Sequence, residues 1–245
     1  CIDTETTGKD PAEARVVEVA VVHAVLGVEA AAPAFRSYVQ PGIPIPADAS
    51  RITGIDDATV AGAPEWKDVA PDVAEACSGR LVVAFNATYD WTVIASEEAR
   101  IERRIPDWTW LCALVLRRAA RRKSRPGTLL EVAAEHGILL DAHGAMGDAL
   151  ATGLLVTPLL RVLYTRKGIA PTVKTIGDLL AWQRHAALAQ EVDFAGWCRR
   201  SGWTTAPDCA WHRLEGVEPP GWKALPMRTR PCPTCRANVV LRVAQ

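Results

Sequence analysis

Asp3-Thr4-Glu5-Thr6-Thr7-Gly8 stands at the head of the chain, directly behind the apolar pair Cys1-Ile2. Read as the end of a strand, Ile2 to Glu5 sends Asp3 and Glu5 to one face and Thr4 to the other. Two carboxylates on one face repel, and a cation that prefers hard oxygen ligands, Mg2+ or Mn2+, relieves the repulsion. An Asp-x-Glu pair on an exposed sheet face is also common without any cation, so the pair alone leaves both readings open. The chain opens with Cys1 rather than Met, and Cys1-Ile2 reads as the last part of an apolar strand whose start is missing.

Working outward, Val16 to Val25 is rich in β-branched residues, which favours a long strand over a helix. Phe35 to Val39 is a third strand candidate, closed by Pro41, Gly42, Pro44 and Pro46, none of which continues a ladder or a helix well. These three strands predict an antiparallel meander. Glu65 to Cys77 carries apolar residues at helical spacing, Leu81 to Phe85 reads as a short buried strand, and Asp90 to Arg103 reads as a helix. Thr128 with Glu131 is a capping-box pattern that opens a helix through Glu135, and Gly144 to Tyr164 reads as a long helix, apolar on most faces.

An α/β core therefore closes near residue 166. Thr175 to Gln190 then predicts one amphipathic helix and Asp193 to Arg200 another, ahead of a Pro/Trp-rich tail. Five of the nine tryptophans fall between Trp182 and Trp222, a density that fits a compact appendage or a contact surface. The expected organisation is a domain of residues 1–166 and a helical, Trp/Cys-rich C-terminal extension of residues 167–245.

The hexapeptide at residues 3–8 resembles the first motif of the DnaQ-like (DEDDh) 3′-5′ exonucleases, which include the ε subunit of DNA polymerase III and share the ribonuclease H-like fold. Phe85-Asn86-Ala87-Thr88-Tyr89-Asp90 resembles the second motif, and His143 with Asp148 resembles the third. Between them, Pro41 to Pro46, Ile52-Thr53-Gly54-Ile55 and Ala63-Pro64 with Trp66 look like the family's usual linker. The resemblance covers about residues 1 to 166 and implies a mixed sheet flanked by helices. It also implies metal ligation by Asp3, Glu5, Asp90 and Asp148, a histidine base at His143, and contacts to the terminal nucleotide from Thr6, Thr7 and Asn86. Three positions depart from the common pattern: Phe85 where a His is frequent, Tyr89 where a Phe is frequent, and Thr53 where a His is common.

The residues support the same chemistry on their own terms. Asp90 opens a helix behind a buried strand and Asp148 lies about one turn inside another, so each can aim a carboxylate at a sheet edge. Four convergent carboxylates require cations, and two divalent ions about 3.5 to 4 Å apart would orient a phosphodiester for hydrolysis. An imidazole, titrating near pH 6.5 when unperturbed, can take a proton from attacking water at neutral pH, which suits His143. His23, His136 and His185, outside any motif, read as solvated side chains.

The function expected is a 3′-5′ exonuclease, dependent on two Mg2+ or Mn2+ ions, acting on a single-stranded or frayed 3′ end of DNA or RNA, with a polymerase or repair protein as candidate partner. The rival is a catalytically idle nucleic-acid or polymerase-binding module. Arg117, Arg118, Arg121, Arg122, Lys123 and Arg125 form a basic run that reads equally as a solvated helix end or a phosphate rail. Cys209 and His212, then Cys232 and Cys235, are two ligand pairs with 19 residues between them, the spacing of a structural zinc site, with buried thiols or a redox pair as alternatives. Cys77 and Cys112 read as core residues.

Composition agrees with a globular chain. The 245 residues are 49% hydrophobic and 23% charged, enough to bury a core and inconsistent with a disordered or fibrous chain. Twenty-eight basic residues balance 28 acidic ones, so any anionic partner must be met locally rather than by a global field. The continuous apolar stretches, such as 153–160, fall short of the roughly 18 to 20 residues that span a bilayer, and a cytoplasmic, non-membrane location is the default. In a reducing compartment the seven cysteines read as thiols or metal ligands rather than a disulfide framework.

Overall fold

The first strand, β1 (Ile2–Thr6), alternates as its sequence requires: Ile2, Thr4 and Thr6 are buried, while Asp3 and Glu5 are partly exposed. The computed structural model describes residues 1–120, 127–139, 144–166, 173–200, 230–231 and 238–239. The chain divides into two compact units, Cys1–Pro171 and Thr172–Gln245.

In the first unit β1 pairs antiparallel with β2 (Val16–Ala24), and β2 with β3 (Ala31–Tyr38). The meander expected from the sequence is present. The third strand begins four residues earlier than Phe35, because its first half, Ala31-Ala32-Pro33-Ala34, lacks the β-branched signature. Pro33 is tolerated there because β3 is an edge strand and the register slips between Val21 and Val22, which relieves the ladder of a missing donor.

Every residue of β2 from Val16 to Val22 is buried, so both of its faces are covered. On one face Val17 packs with Ile45, Ala49, Ile55 and Val60, around the short helix α1 (Ala47–Thr53). On the other, Ala20 and Val22 pack with Ala145 and Ala149 of the long helix α6 (Ala145–Arg166). The register places Asp3 opposite Ala20 and Glu5 opposite Glu18, so both acids look toward the face that α6 covers.

Helix α2 (Trp66–Cys77) leads to β4 (Leu81–Ala84), α3 (Ala87–Arg100) and β5 (Thr109–Cys112), and β4 and β5 pair in parallel. This is a βαβ crossover, and β4 lies beside β1. Helices α4 (Ala113–Ala120) and α5 (Leu129–Glu135) follow, both against α6. The capping box read from sequence is formed: Thr128 Oγ1 accepts from the Glu131 N–H at 3.3 Å, and Glu131 Oε2 accepts from the Thr128 N–H at 2.7 Å. Cys77 and Cys112 are buried thiols, as expected.

Residues 145–165, within α6, are long and apolar enough to cross a membrane by length and composition, and half of the span is buried. The span is not one continuous apolar run, since Asp148, Thr152, Thr157 and Arg161 interrupt it. In the structure this helix packs on β1, β2 and β3, so its apolar faces belong to the core of the first unit.

In the second unit the two helices expected at 175–190 and 193–200 are one, α7 (Ile176–Arg200). No Gly or Pro stands between Gln190 and Asp193, so nothing there breaks the helix. Its start is capped by Asp178 Oδ2, which accepts from the N–H groups of Lys174 at 3.0 Å and Thr175 at 2.9 Å. Two short antiparallel strands, β6 (Arg230–Pro231) and β7 (Asn238–Val239), complete the described part.

Candidate active site

Four acids reach one region from three elements. Asp3 and Glu5 come from β1, Asp90 from the first turn of α3, and Asp148 from the first turn of α6. A helix N-terminus favours a carboxylate, so both helical acids sit where the backbone stabilises them. One carboxylate oxygen from each of Asp3, Glu5 and Asp148 lies within 4.8 Å of the others, and all three are partly exposed. Such a trio fits a hard divalent cation by donor chemistry and spacing.

Asp90 stands behind the trio rather than in it. It is buried at 4% exposure, and its Oδ1 accepts from the Thr4 N–H at 3.1 Å and from Thr4 Oγ1 at 2.9 Å. Thr4, on the strand face opposite Asp3 and Glu5, thus anchors the third acid to the strand that carries the first two.

The charges are held against their preference. Burial pushes the Asp3 carboxyl well above the usual carboxylate range, and Asp90, Asp148, Glu5 and Glu18 push it further. Burial, with Asp148, Glu18 and Asp90, pushes Glu5 up to about 7. Asp90 is also pushed up to about 7 by burial, against the pull of its Thr4 hydrogen bonds. Clustered acids with raised proton affinity mark a functional site more often than a structural one.

The scaffold around the acids is tied by ion pairs. Glu97 of α3, 1% exposed, accepts from Arg15 Nε at 2.8 Å, from Arg15 Nη2 at 3.2 Å and from the Val16 N–H at 3.0 Å. Arg100, one turn on, donates to the carbonyls of Ala12, Glu13 and Ala14. The helix bearing Asp90 is thereby fastened to the connection between β1 and β2. Glu98 accepts from Trp66 Nε1 at 3.2 Å, which fixes α2 to the same helix.

The residues expected to touch substrate are engaged within the protein. The Tyr89 phenol donates to the Gly8 carbonyl at 2.6 Å, and Thr6 Oγ1 lies within hydrogen-bond distance of both that carbonyl, at 2.8 Å, and the phenol oxygen, so its single proton serves one of them at a time. Thr7 Oγ1 accepts from the Arg15 N–H at 2.9 Å. Asn86 is exposed at the start of α3, and its Oδ1 accepts from Thr88 Oγ1 at 3.1 Å. Thr53, at a position where the resemblance led one to look for a histidine, accepts from the Ile55 N–H at 3.1 Å and donates to Ala49 at 3.1 Å, closing α1.

His143 lies outside the described residues, as do Cys209, His212, Cys232 and Cys235, and Arg121, Arg122, Lys123 and Arg125 of the basic run. Arg117 is not part of an exposed rail: it is 3% exposed and pairs with Glu135 Oε2 at 2.8 Å. His23 is not simply solvated, since its Nε2 bonds the Ala76 carbonyl at 2.9 Å. The sequence reading missed Glu18, whose buried carboxylate abuts the site and raises the proton affinity of Asp3 and Glu5. Its one signal was a lone acid inside the run Val16-Val17-Glu18-Val19-Ala20-Val21-Val22.

Comparison with known proteins agrees with this geometry. Residues 1–156 match the exonuclease family. The chain is 32% identical over 168 residues to a DNA polymerase III subunit epsilon-like protein of Rhodobacter capsulatus, a match covering 67% of this chain and 24% of that protein. It is 28% identical over 168 residues to the DNA polymerase III subunit epsilon of Buchnera aphidicola, covering 63% of this chain and 70% of the relative. Among solved structures, E. coli Exonuclease I in complex with a dT13 oligonucleotide aligns with a TM-score of 0.59 at 20% identity, over 74% of this chain and 44% of that one. Exonuclease X in complex with 5′ overhanging duplex DNA aligns with a TM-score of 0.53 at 23% identity, over 65% of this chain and 89% of that one. Fold, acid cluster and sequence match converge: the chain belongs to the DEDDh 3′-5′ exonuclease family of the ribonuclease H-like fold.

Proposed function

We propose that the first unit hydrolyses the terminal phosphodiester at the 3′ end of a nucleic acid and releases nucleoside monophosphates. The observation that carries this reading is the convergence of the Asp3, Glu5 and Asp148 oxygens within 4.8 Å, with Asp90 buried behind them. Two divalent ions, Mg2+ or Mn2+, held by Asp3, Glu5, Asp90 and Asp148, would supply charge neutralisation and stabilise the attacking and leaving oxygens. The chain's own groups do the rest. His143, five residues before Asp148, accepts the proton of the attacking water. Thr6 and Thr7, which follow Glu5 directly, and Asn86 hold the terminal nucleotide, the two threonines through their backbone because their hydroxyls are bonded within the protein, with the Tyr89 phenol beside the Thr6 hydroxyl.

The relatives that are polymerase III subunits, and the Exonuclease I complex with a single-stranded oligonucleotide, support a single-stranded or frayed 3′ end as substrate and a polymerase as partner. For the C-terminal extension we assign one structural Zn2+ to Cys209, His212, Cys232 and Cys235. The ligand spacing supports it, and β6 and β7 bracket Cys232 and Cys235 in sequence. One zinc per chain by elemental analysis, falling in Cys232→Ser, is the expected result.

The test of the activity is a time course on 5′-labelled single-stranded DNA and its RNA twin, with Mg2+, Mn2+ or EDTA. A ladder that shortens from the 3′ end, stops with EDTA and stops in Asp3→Ala is expected. His143→Ala should lose about a hundredfold or more in turnover, the scale of a missing general base. A folded, Mn2+-binding chain that trims neither substrate would instead be an idle binding module.

A further inference from the structure

Glu5 and Glu18 face each other across the β1–β2 ladder, an arrangement of like charges that ordinarily destabilises a sheet. Glu18 is 1% exposed, yet both of its oxygens are satisfied, and by different elements. Oε1 accepts from Arg36 Nε of β3, and Oε2 accepts from the Ala145 N–H at 2.9 Å. Ala145 is the first residue of α6, where backbone donors have no partner inside the helix, and Asp148 follows three residues later, about 4.5 Å along the axis.

We propose that Glu18 is a positioning residue: its carboxylate bolts the N-terminus of α6 to the sheet and so sets where Asp148 meets Asp3 and Glu5. Two further contacts fit this role. Gly144, just before the bolt, has Glu18 Oε2 3.7 Å from where a Cβ would lie, so the carboxylate lies against the backbone there. Arg36, with a side chain 48% exposed, offsets the Glu18 charge from the solvent side. The acids of the site therefore feel a fifth carboxylate, and the structure directs that carboxylate at a backbone donor instead of into the cation site.

This inference rests on the proposed role of Asp148, and the test separates the two. Glu18→Gln keeps one oxygen that can accept the Ala145 N–H and removes the charge; its NH2 group then faces Arg36, whose half-exposed side chain can turn to solvent. Glu18→Asp keeps the charge and withdraws the oxygen by one methylene. Each is compared with the wild-type chain and with Asp148→Asn for oligonucleotide kcat and KM, for Mn2+ affinity by electron paramagnetic resonance titration without substrate, and for folding by circular dichroism. The expected result is that Glu18→Asp loses about tenfold or more in kcat, since small misplacements of a reacting group are costly. Its KM should stay unchanged and its Mn2+ affinity weaken, while Glu18→Gln stays within about threefold of wild type on all counts.

A Glu18→Gln variant impaired as much as Glu18→Asp, or both variants matching wild type, would overturn the bolt. Loss of the folded state in either variant would overturn it too, by making Glu18 a determinant of folding. Inactive wild type, or an Asp148→Asn variant that still binds Mn2+ and trims as wild type does, would instead overturn the functional reading itself.

Discussion

The three-oxygen cluster of Thr6, Tyr89 and the Gly8 carbonyl contains two hydroxyl protons and one shared acceptor. Tyr89→Phe removes one of those protons and leaves Thr6 to bond Gly8 alone. A neutral hydrogen bond contributes a net of about 1 kcal/mol, and Gly8 keeps an alternative donor, so the loss by denaturant unfolding should fall at or below that figure. The kinetic expectation is a severalfold rise in KM for the oligonucleotide with kcat nearly unchanged, because the phenol orders the Thr6 loop and touches no reacting atom. Asp148→Asn belongs to the opposite class. It deletes a charge that raises the proton affinity of Asp3, Glu5 and Asp90, so metal-free protein should melt higher while trimming and stabilisation by Mn2+ disappear. A gain of stability on losing a site residue is the signature of strain held for function. An unchanged or lower melting temperature in the metal-free variant would show that the acids do not repel appreciably.

At the scale of the element, α6 decides where Asp148 stands, and its small residues decide how close α6 comes to the sheet. Ala145, Ala149 and Gly153 recur every four residues on one face. A Cβ on Gly153 would lie 3.3 Å from the Cβ atoms of Ala24 and Ala31 and 3.4 Å from Cys1 Sγ. Glycine inside a helix costs about 1 kcal/mol relative to alanine, and here close approach explains its presence. Gly153→Val should therefore destabilise by about 1 to 3 kcal/mol through overpacking and lower kcat by tilting the helix that bears Asp148. Wild-type kcat in a destabilised Gly153→Val chain would show that the site tolerates movement of α6. The small-residue spacing was open to view in the sequence, but which sheet it met was not. The meander was legible because five of the nine residues from Val16 to Ala24 are valine, and α5 because Thr128 and Glu131 announce a cap. The strand Thr109–Cys112 was not, since four residues with no alternation and no flanking glycine carry no period. The acids were legible as a motif. Glu18 was not, because its role depends on a partner 127 residues away.

For the whole molecule, the site makes stability depend on pH in a direction opposite to that of most surface carboxylates. Burial and mutual repulsion raise Glu5 and Asp90 to about 7 from ordinary values of 4.5 and 3.8. Between the ordinary and raised values the folded chain holds protons that the unfolded chain has released. The slope of unfolding free energy with pH follows unfolded minus folded bound protons, and here that difference is negative. These groups therefore favour the fold fully below their unfolded values, and their contribution is lost as pH rises through about 7. Metal-free protein should melt lower at about pH 8 than at about pH 6, as this slope requires. A divalent cation reverses the sign, because it binds the carboxylates once their protons have left, and a ligand that binds only the folded state raises its stability. The increment in melting temperature from a fixed Mn2+ concentration should thus be larger at about pH 8 than at about pH 6. Asp3→Asn should flatten both trends together, since one cluster produces both. If Mn2+ stabilises the wild type equally at the two pH values, or if Asp3→Asn leaves the increment intact, cation and protons do not compete for the same oxygens, and the acids of β1 do not hold the ion.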